Sequence, residues 1–134
     1  MRYNKLTNYI NVFSKNYSAG NWIVGGGSGG KDERPITIPF LKYDRKIFDF
    51  MYDMNEFMDR DYDETLNSCG IDVNMQGEEQ IDVTEADDKE VLALITYVIK
   101  SERFCDGEIK SVVESGTMTR WLERLKEIDT LETT

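Results

Sequence analysis

The chain has 134 residues, 40% of them hydrophobic, which is long and apolar enough for a single domain with its own core. It contains no histidine, which excludes Ser-His and Cys-His nucleophilic pairs, histidine general bases and most zinc sites. The formal net charge is −10. Because phosphate contacts need clustered Lys and Arg, direct binding to nucleic acid is not expected.

Membrane insertion and export are not expected either. No apolar run approaches the roughly 20 residues that span a bilayer, and residues 1–13 lack the apolar segment of a signal peptide. We therefore expect a cytoplasmic protein in which Cys69 and Cys105 are free thiols rather than a disulfide. Cys105 is predicted to be a small buried hydrophobe.

The first forty residues predict a helix followed by two short strands. Residues 3–16 carry apolar side chains at helical spacing, namely Tyr3, Leu6, Tyr9, Ile10 and Phe13. Residues 21–24 and 35–41 are rich in β-branched and aromatic side chains, which is typical of strands. Pro39 places the second strand at a sheet edge or near its own end.

Between the two strands lies a glycine-rich segment, residues 25–31, that fits G-x-G-x-x-G and nearly fits a phosphate-binding loop. Asp32 stands where that loop needs a magnesium-binding Ser or Thr, and its charge would repel phosphate. The β-branched residues 36–38 follow in place of a helix whose N-terminus could hold an anion. The simpler interpretation is a flexible loop, native or introduced, between two strands.

A second helix is predicted after Asp44, which can cap its N-terminus. Its apolar face consists of Ile47, Phe50, Met51, Met54, Phe57 and Met58. A stripe of Met and aromatic residues indicates core, with an exposed, adaptable binding groove as the alternative.

Residues 59–64 resemble the start of a calcium loop, with acidic residues at positions 1, 3 and 5. Glu64 stands where the turn glycine belongs and Gly70 where the bidentate Glu belongs, so hydrated carboxylates are predicted and no metal site. Residues 71–73 and 81–83 are near repeats that alternate apolar and polar. They predict either a hairpin or an extended lead into the next helix.

The C-terminal third predicts three amphipathic helices separated by Gly107 and Gly116. Thr84 is the expected N-cap of the first, with Asp87 completing a weak capping box. The apolar faces are Val91, Leu92, Ile95, Val98 and Ile99, then Ile109, Val112 and Val113, then Met118, Trp121, Leu122, Leu125 and Ile128. Residues 130–134 are predicted to be a frayed tail.

The same region carries a family resemblance. Residues 101–107 (SERFCDG), 114–116 (ESG) and 121–125 (WLERL) resemble the end of an uncharacterised bacterial and phage family, domain of unknown function 6508. Gly20-x-Trp22 and Ile38-Pro39-Phe40-x-x-Tyr43 resemble its earlier landmarks, so the resemblance covers most of the chain. The family has no known activity, so the resemblance implies no catalytic residues.

Negative charge is concentrated between Asp53 and Asp88, where thirteen Asp and Glu residues face the single basic residue Arg60. We call residues 53–88 the acidic segment. One interpretation is a solvated face that aids solubility, and the other is a patch that binds a basic partner. The predicted partner-binding residues are Asp53, Glu56, Asp59, Asp61, Asp63, Glu64, Asp72, Glu78 and Glu79.

Together these patterns predict an α+β fold, a small antiparallel sheet packed against two long helices with a helical C-terminal unit. The expected function is that of a non-enzymatic acidic interaction protein. It would be an inhibitor from a phage or mobile element that occupies the basic nucleic-acid-binding surface of a host enzyme. The alternative is a small-ligand, nucleotide-type binding domain that uses Trp22 and the glycine-rich segment. No catalytic residue, cofactor or metal is predicted, and the oligomeric state is left open.

Overall fold

The computed structural model describes residues 2–14, 16–23, 40–72 and 77–132. In chain order the elements are α1 (Asn4–Thr7), α2 (Tyr9–Val12), β1 (Gly20–Ile23), β2 (Phe40–Tyr43), α3 (Arg45–Met54), α4 (Tyr62–Ser68), α5 (Asp88–Ser101), α6 (Glu108–Glu114) and α7 (Thr117–Glu132). Short 3₁₀ turns lie at Asn55–Phe57 and Glu78–Gln80. The predicted α+β class, with one small antiparallel sheet and a helical C-terminal unit, is confirmed.

β1 and β2 pair antiparallel, with Gly20 opposite Tyr43 and Ile23 opposite Phe40. A Cβ on Gly20 would lie 2.6 Å from the Lys42 carbonyl oxygen, so the two backbones approach too closely for any side chain. β1 begins one residue before the predicted strand. β2 overlaps the end of its predicted strand at residues 40–41 and continues to Tyr43. Residues 35–39 and the glycine-rich segment lie outside the described residues.

The core is built around α5, which packs against α4, α6 and α7. α7 in turn packs against α1, α2 and α6, so the C-terminal helices hold the N-terminal ones in place. The apolar faces predicted for the three C-terminal helices are buried. Their fully or nearly fully enclosed members are Val91, Ile95, Val98, Ile109, Val112, Val113, Met118, Trp121, Leu122 and Leu125.

The predicted N-terminal helix is present as two four-residue helices, α1 and α2, that meet at Asn8. Its apolar face is nevertheless correct, because Leu6, Tyr9 and Phe13 are buried. The rings of Tyr9 and Phe13 lie 5.2 and 5.3 Å from the ring of Phe50 on α3 and make edge-on contacts with it. These contacts join the N-terminal helices to α3.

The methionine and aromatic face of α3 belongs to the core. Ile47, Phe50 and Met54 are fully buried, and Met51, Phe57 and Met58 pack against the core while half-buried. Asp44 caps the helix as predicted, because its carboxylate accepts from the Lys46 N–H at 3.2 Å. Residues on this face therefore do not form a fully exposed groove.

The predicted N-cap of α5 is wrong. Asp87 caps the helix, and its Oδ1 accepts from the Glu90 N–H at 2.8 Å. Thr84 is held one turn earlier by Asp82, whose Oδ1 accepts from both the Thr84 N–H and the Thr84 hydroxyl. The helix therefore begins at Asp88 and not directly after Thr84.

Two further expectations differ from the structure, and a third is decided between its two alternatives. Cys105 is exposed, because it lies in the turn after α5 rather than on a helical face. Residues 71–72 and 81–83 form no hairpin, and Ile81 and Val83 are buried along an extended lead into α5, which was the other predicted alternative. α7 continues to Glu132, so residues 130–132 are helical instead of frayed. None of the helices in the described ranges is long and apolar enough to cross a membrane.

Candidate functional site

Two of the predicted partner-binding residues contact other parts of the chain. Asp53 accepts a hydrogen bond from the Tyr9 hydroxyl at 2.8 Å, and Glu56 forms an ion pair with Lys5 at 2.5 Å. Both contacts join the α3 region to the N-terminal helices. Asp53 and Glu56 therefore have a local structural role that the acidic composition alone does not reveal.

Asp59 organises the entry into α4. Its backbone N–H donates to the Thr96 hydroxyl at 3.1 Å, and that hydroxyl donates to the Leu92 carbonyl at 2.8 Å. Its carboxylate accepts from the Asp61 N–H and from the Thr65 hydroxyl, both at 2.8 Å. Asp59 is thus fixed to α5 through its backbone and to α4 through its side chain.

A cleft of about 460 Å³ opens at this point. Three of its lining residues are apolar and half-buried, namely Phe57, Met58 and Leu92. The others are polar and include three carboxylates and one lysine: Asp59, Asp61, Glu64, Thr65, Ser68 and Lys89. We call this space the acidic cleft. It brings together three of the nine predicted partner-binding residues.

The remaining predicted residues lie elsewhere on the acidic segment. Asp63 is exposed on the first turn of α4, and Asp72 is exposed on the stretch that follows that helix. Glu78 and Glu79 begin the 3₁₀ turn ahead of α5. The backbone carbonyl of Glu79 accepts from Arg120 Nη2 on α7 at 2.9 Å.

A carboxyl pair that the sequence analysis did not identify lies beside that turn. Glu108 is the first residue of α6. Hydrogen bonding with Glu78, followed by burial and by the charges of Glu78 and Glu102, raises the pKa of Glu108 from its ordinary 4.5 to about 7. The sequence signal was weak, since thirty residues separate the partners.

Glu102 is a further residue whose role was not predicted from the sequence, although the motif that contains it was noted. Its Oε1 accepts from the Tyr43 hydroxyl at 2.7 Å and from the Ile109 N–H at 2.8 Å, and its Oε2 accepts from the Gly107 N–H at 2.8 Å. This carboxylate therefore joins β2 to the turn between α5 and α6. The SERFCDG run contains Glu102, so the family landmark marks a real structural feature.

Exposed aromatic side chains surround this turn. Phe104 is 87% exposed and Trp22 is 45% exposed. The Trp22 ring lies against Gly107, where a Cβ would approach its Cζ2 to 3.3 Å. Burial, followed by the hydrogen bond to Glu102, raises the pKa of Tyr43, whose ring packs edge-on against the exposed Phe48.

The structure describes only part of the alternative ligand site. Trp22 lies on β1 beside Gly107, whereas residues 25–31 lie outside the described residues. Within the ranges that the structure describes, no group of three or more His, Cys, Asp or Glu side chains is arranged to hold a metal ion.

The chain matches the model of a protein family. The model of the family of unknown function DUF6508 matches residues 2–130, which is nearly the whole chain. No curated protein and no solved structure matches it.

Proposed function

We propose that this chain, which belongs to the family of unknown function DUF6508, is a non-enzymatic interaction protein whose acidic segment binds a basic surface of another protein. The observation that carries the proposal is the acidic cleft. It combines three carboxylates with a half-buried apolar lining in a space of about 460 Å³. This combination suits a protein side chain better than it suits a hydrated ion.

The chemistry of the cleft matches a long cationic side chain. Arg and Lys carry an apolar stem of three or four methylenes below a charged head. The stem can pack on Phe57, Met58 and Leu92 while the head meets Asp61 and Glu64. Arginine is the better fit because its planar guanidinium can bond a carboxylate with two parallel N–H groups.

The cleft is also held in shape before any partner arrives. Asp59 is bonded to Thr96 on α5 and to Thr65 on α4, so the wall between the two helices is fixed. A preformed surface loses less side-chain and loop entropy on association. Negative charge at the first turn of α4 is further stabilised by the helix dipole.

The class of partner follows from the charge. A protein surface with enough Lys and Arg to attract this segment is typical of nucleic-acid-binding enzymes. Carboxylates placed along such a surface would stand where phosphates normally lie. We therefore propose that the protein inhibits such an enzyme of a bacterial host by occupying its nucleic-acid channel. No described residue favours the small-ligand alternative over this proposal.

The test compares two double charge reversals. Asp61→Lys with Glu64→Lys changes the cleft, and Glu123→Lys with Glu132→Lys makes the same change in charge at two exposed positions of α7. Proteins captured from host lysate at about 0.05 M salt are released at about 0.5 M, since exposed charge pairs are screened within a few ångströms there. Each captured protein is then assayed for DNA or RNA binding with and without added wild-type protein.

The expected result is that wild type and the α7 variant capture the same nucleic-acid-binding protein and displace its nucleic acid. The cleft variant should capture none of it. Capture that is equal for both variants, or that survives at high salt, would show that the acidic segment is a solvated surface. Capture of a protein with no affinity for nucleic acid would retain the interaction and refute the proposed class of partner.

A further inference from the structure

The acidic cleft contains a positive charge that the proposed function does not use. Lys89, the second residue of α5, lines the cleft and is exposed. Among the residues that the structure describes, its ammonium group forms no ion pair. The carboxylates of Asp61 and Glu64 line the same cleft and form no ion pair with a described residue either. Opposite charges therefore share one space without neutralising each other.

These charges are held on two different helices. Asp61 immediately precedes α4 and Glu64 lies in its first turn, whereas Lys89 lies in the first turn of α5. The two helices pack against each other, and the bond from the Asp59 N–H to the Thr96 hydroxyl fixes the approach to α4 against α5. The backbone positions of the opposite charges are thus set by the fold. A ligand that carries both signs of charge can meet both.

The surroundings of Lys89 leave it available to an anion. The N-terminus of a helix carries partial positive charge, which adds to that of the lysine in attracting a negative group. The carboxylates beside it on α5 are already engaged. Asp87 is occupied as the cap of the helix. Asp88 accepts from the Tyr3 hydroxyl and forms an ion pair with Arg2.

We propose that the acidic cleft binds a carboxyl-terminal arginine of a partner protein, with the guanidinium at Asp61 and Glu64 and the terminal carboxylate at Lys89. The inference rests on the proposed function, because it takes the acidic cleft as the partner-binding site and names the residue that enters it. The cleft volume of about 460 Å³ is at the small end of the range for ligand pockets, about 300–1,000 Å³. One residue must therefore supply both charges, as a chain-terminal arginine does.

The chemistry of this residue matches the lining from end to end. Its guanidinium can bond a carboxylate with two parallel N–H groups. Its methylene stem can pack on the half-buried Phe57, Met58 and Leu92. Its carboxylate accepts charge-assisted hydrogen bonds from the Lys89 ammonium group. Capture of a chain-terminal carboxylate is also a recurring mode of peptide recognition.

NMR titration of the isotope-labelled protein at about pH 7 tests the proposal with three probes. N-Acetyl-arginine carries both the guanidinium and a free carboxylate. N-Acetyl-arginine amide lacks the carboxylate, and N-acetyl-citrulline lacks the cation. We expect the amides of residues 89–92 to report binding of N-acetyl-arginine about fivefold tighter than that of its amide. The citrulline probe should show no binding up to on the order of 10 mM.

This order of affinities is opposite to the one that net charge alone predicts. The amide probe is a cation and N-acetyl-arginine is neutral overall, whereas the protein has a formal net charge of −10. Long-range attraction therefore favours the amide probe. A preference for the free carboxylate requires a local positive group in the cleft.

Three variants assign that group. Lys89→Gln keeps a hydrogen-bond donor without its charge, so the amide probe should bind at least as tightly as N-acetyl-arginine. Lys126→Gln makes the same change in charge at an exposed position of α7 and should keep the wild-type order. Asp61→Lys with Glu64→Lys should bind neither arginine probe.

The remaining outcomes each contradict the proposal. Equal binding of the two arginine probes to wild type, or a carboxylate preference that survives in Lys89→Gln, would refute it and leave the cleft as a site for arginine side chains in general. Tighter binding of free arginine than of N-acetyl-arginine would assign the cleft to the amino acid instead of a chain terminus. Absence of binding by every probe would also refute it, whereas the proposed function is decided separately by capture from lysate.

Discussion

At the scale of single residues, the carboxylate of Glu102 has more partners than any other acidic side chain described above. It accepts from one phenol on β2 and from two backbone N–H groups at the start of α6. The Lys110 N–H in turn donates to the Tyr43 oxygen at 3.2 Å, which extends the network into α6. A carboxylate with several donors positions the backbone around it, since each donor loses its partner if the side chain is removed.

Truncation of this side chain should therefore destabilise the folded protein. Glu102→Ala leaves the Gly107 and Ile109 N–H groups without their acceptor, and we expect it to lower the free energy of unfolding by about 2–3 kcal/mol. Tyr43→Phe removes two bonds, the one to Glu102 and the one from the Lys110 N–H, and should lower it by about 1–2 kcal/mol. Urea denaturation measures both. A Glu102→Ala protein within about 0.5 kcal/mol of wild type would show that water replaces the carboxylate at no loss.

A second prediction at this scale concerns the pH dependence of stability. The pKa of Glu108 in the folded protein, about 7, lies above its ordinary value of 4.5, so the folded state holds this proton more tightly than the unfolded chain. The contribution of Glu108 to the free energy of unfolding should therefore fall as the pH rises from 4.5 to about 7 and stay constant above that range. Glu108→Gln has no proton to lose and should not show this fall.

The measurement is the difference in unfolding free energy between Glu108→Gln and wild type as a function of pH. We expect the difference to be constant below about pH 4.5 and to rise in favour of the variant by about 1 kcal/mol by about pH 8, a value reduced for solvent screening of a partly exposed group. A difference that does not change with pH would contradict the raised pKa of Glu108.

At the scale of elements, the two-stranded sheet depends on Gly20. A Cβ there would lie 2.6 Å from the Lys42 carbonyl oxygen and 2.9 Å from the Tyr43 Cα, and both are backbone atoms that can move only if the strands separate. Gly20→Ala should lower the free energy of unfolding by about 2–3 kcal/mol through this overlap. The bond from the Asp44 N–H to the Ala19 carbonyl, 2.7 Å long, should lose protection from exchange.

Gly70→Ala is the matched control. Gly70 has a φ of 76°, but open space surrounds the position of its missing Cβ. Only backbone strain opposes that substitution, so it should cost about 1 kcal/mol. Equal losses for the two variants would mean that the strands adjust to accept a methyl group between them.

The comparison of elements shows which features a sequence can reveal. Apolar stripes predicted α3, α5, α6 and α7 because burial repeats with the period of the helix. A stripe such as Val91, Ile95 and Val98 can be recognised within one segment, without knowing which element packs against it. Thr84 was misassigned because Asp87, three residues further along, is an equally good capping residue and is the one that caps the helix, whereas Thr84 bonds Asp82 in the preceding turn. Caps within three residues of each other are decided by geometry that composition does not contain.

The candidate site was predictable only in part. The acidic segment was evident as composition, and Asp59, Asp61 and Glu64 do share one cleft. Asp53 and Glu56 were not distinguishable from them, since their partners Tyr9 and Lys5 lie more than forty residues away. Glu102 and the pair of Glu78 and Glu108 were missed for the same reason. Contacts between distant parts of the chain leave no periodic signal.

At the scale of the whole molecule, charge is unevenly distributed. The acidic segment holds thirteen of the 26 acidic residues but one of the 16 basic ones. Ion pairs offset part of this charge, as Glu56 bonds Lys5 and Asp88 bonds Arg2. Asp61, Asp63 and Glu64 stand exposed together on and beside the first turn of α4. Crowded like charges oppose the compact state through self-repulsion, so a partner-binding role would be maintained against a stability cost.

Salt should reveal that cost. Electrostatic interactions reach about 30 Å at 0.01 M ionic strength and about 8 Å at 0.15 M, so added salt screens repulsion across the segment. We expect the wild-type melting temperature to rise by about 3–5 °C between those conditions, which corresponds to about 1 kcal/mol for a domain of this size.

Asp61→Lys with Glu64→Lys should melt higher than wild type at low salt and gain less from added salt. Glu123→Lys with Glu132→Lys makes the same change in net charge on α7 and should keep most of the wild-type rise, because the repulsion is local to the segment. If both variants lose the rise in melting temperature equally, the repulsion arises from the net charge of the whole molecule. The acidic segment would then make no local contribution to it.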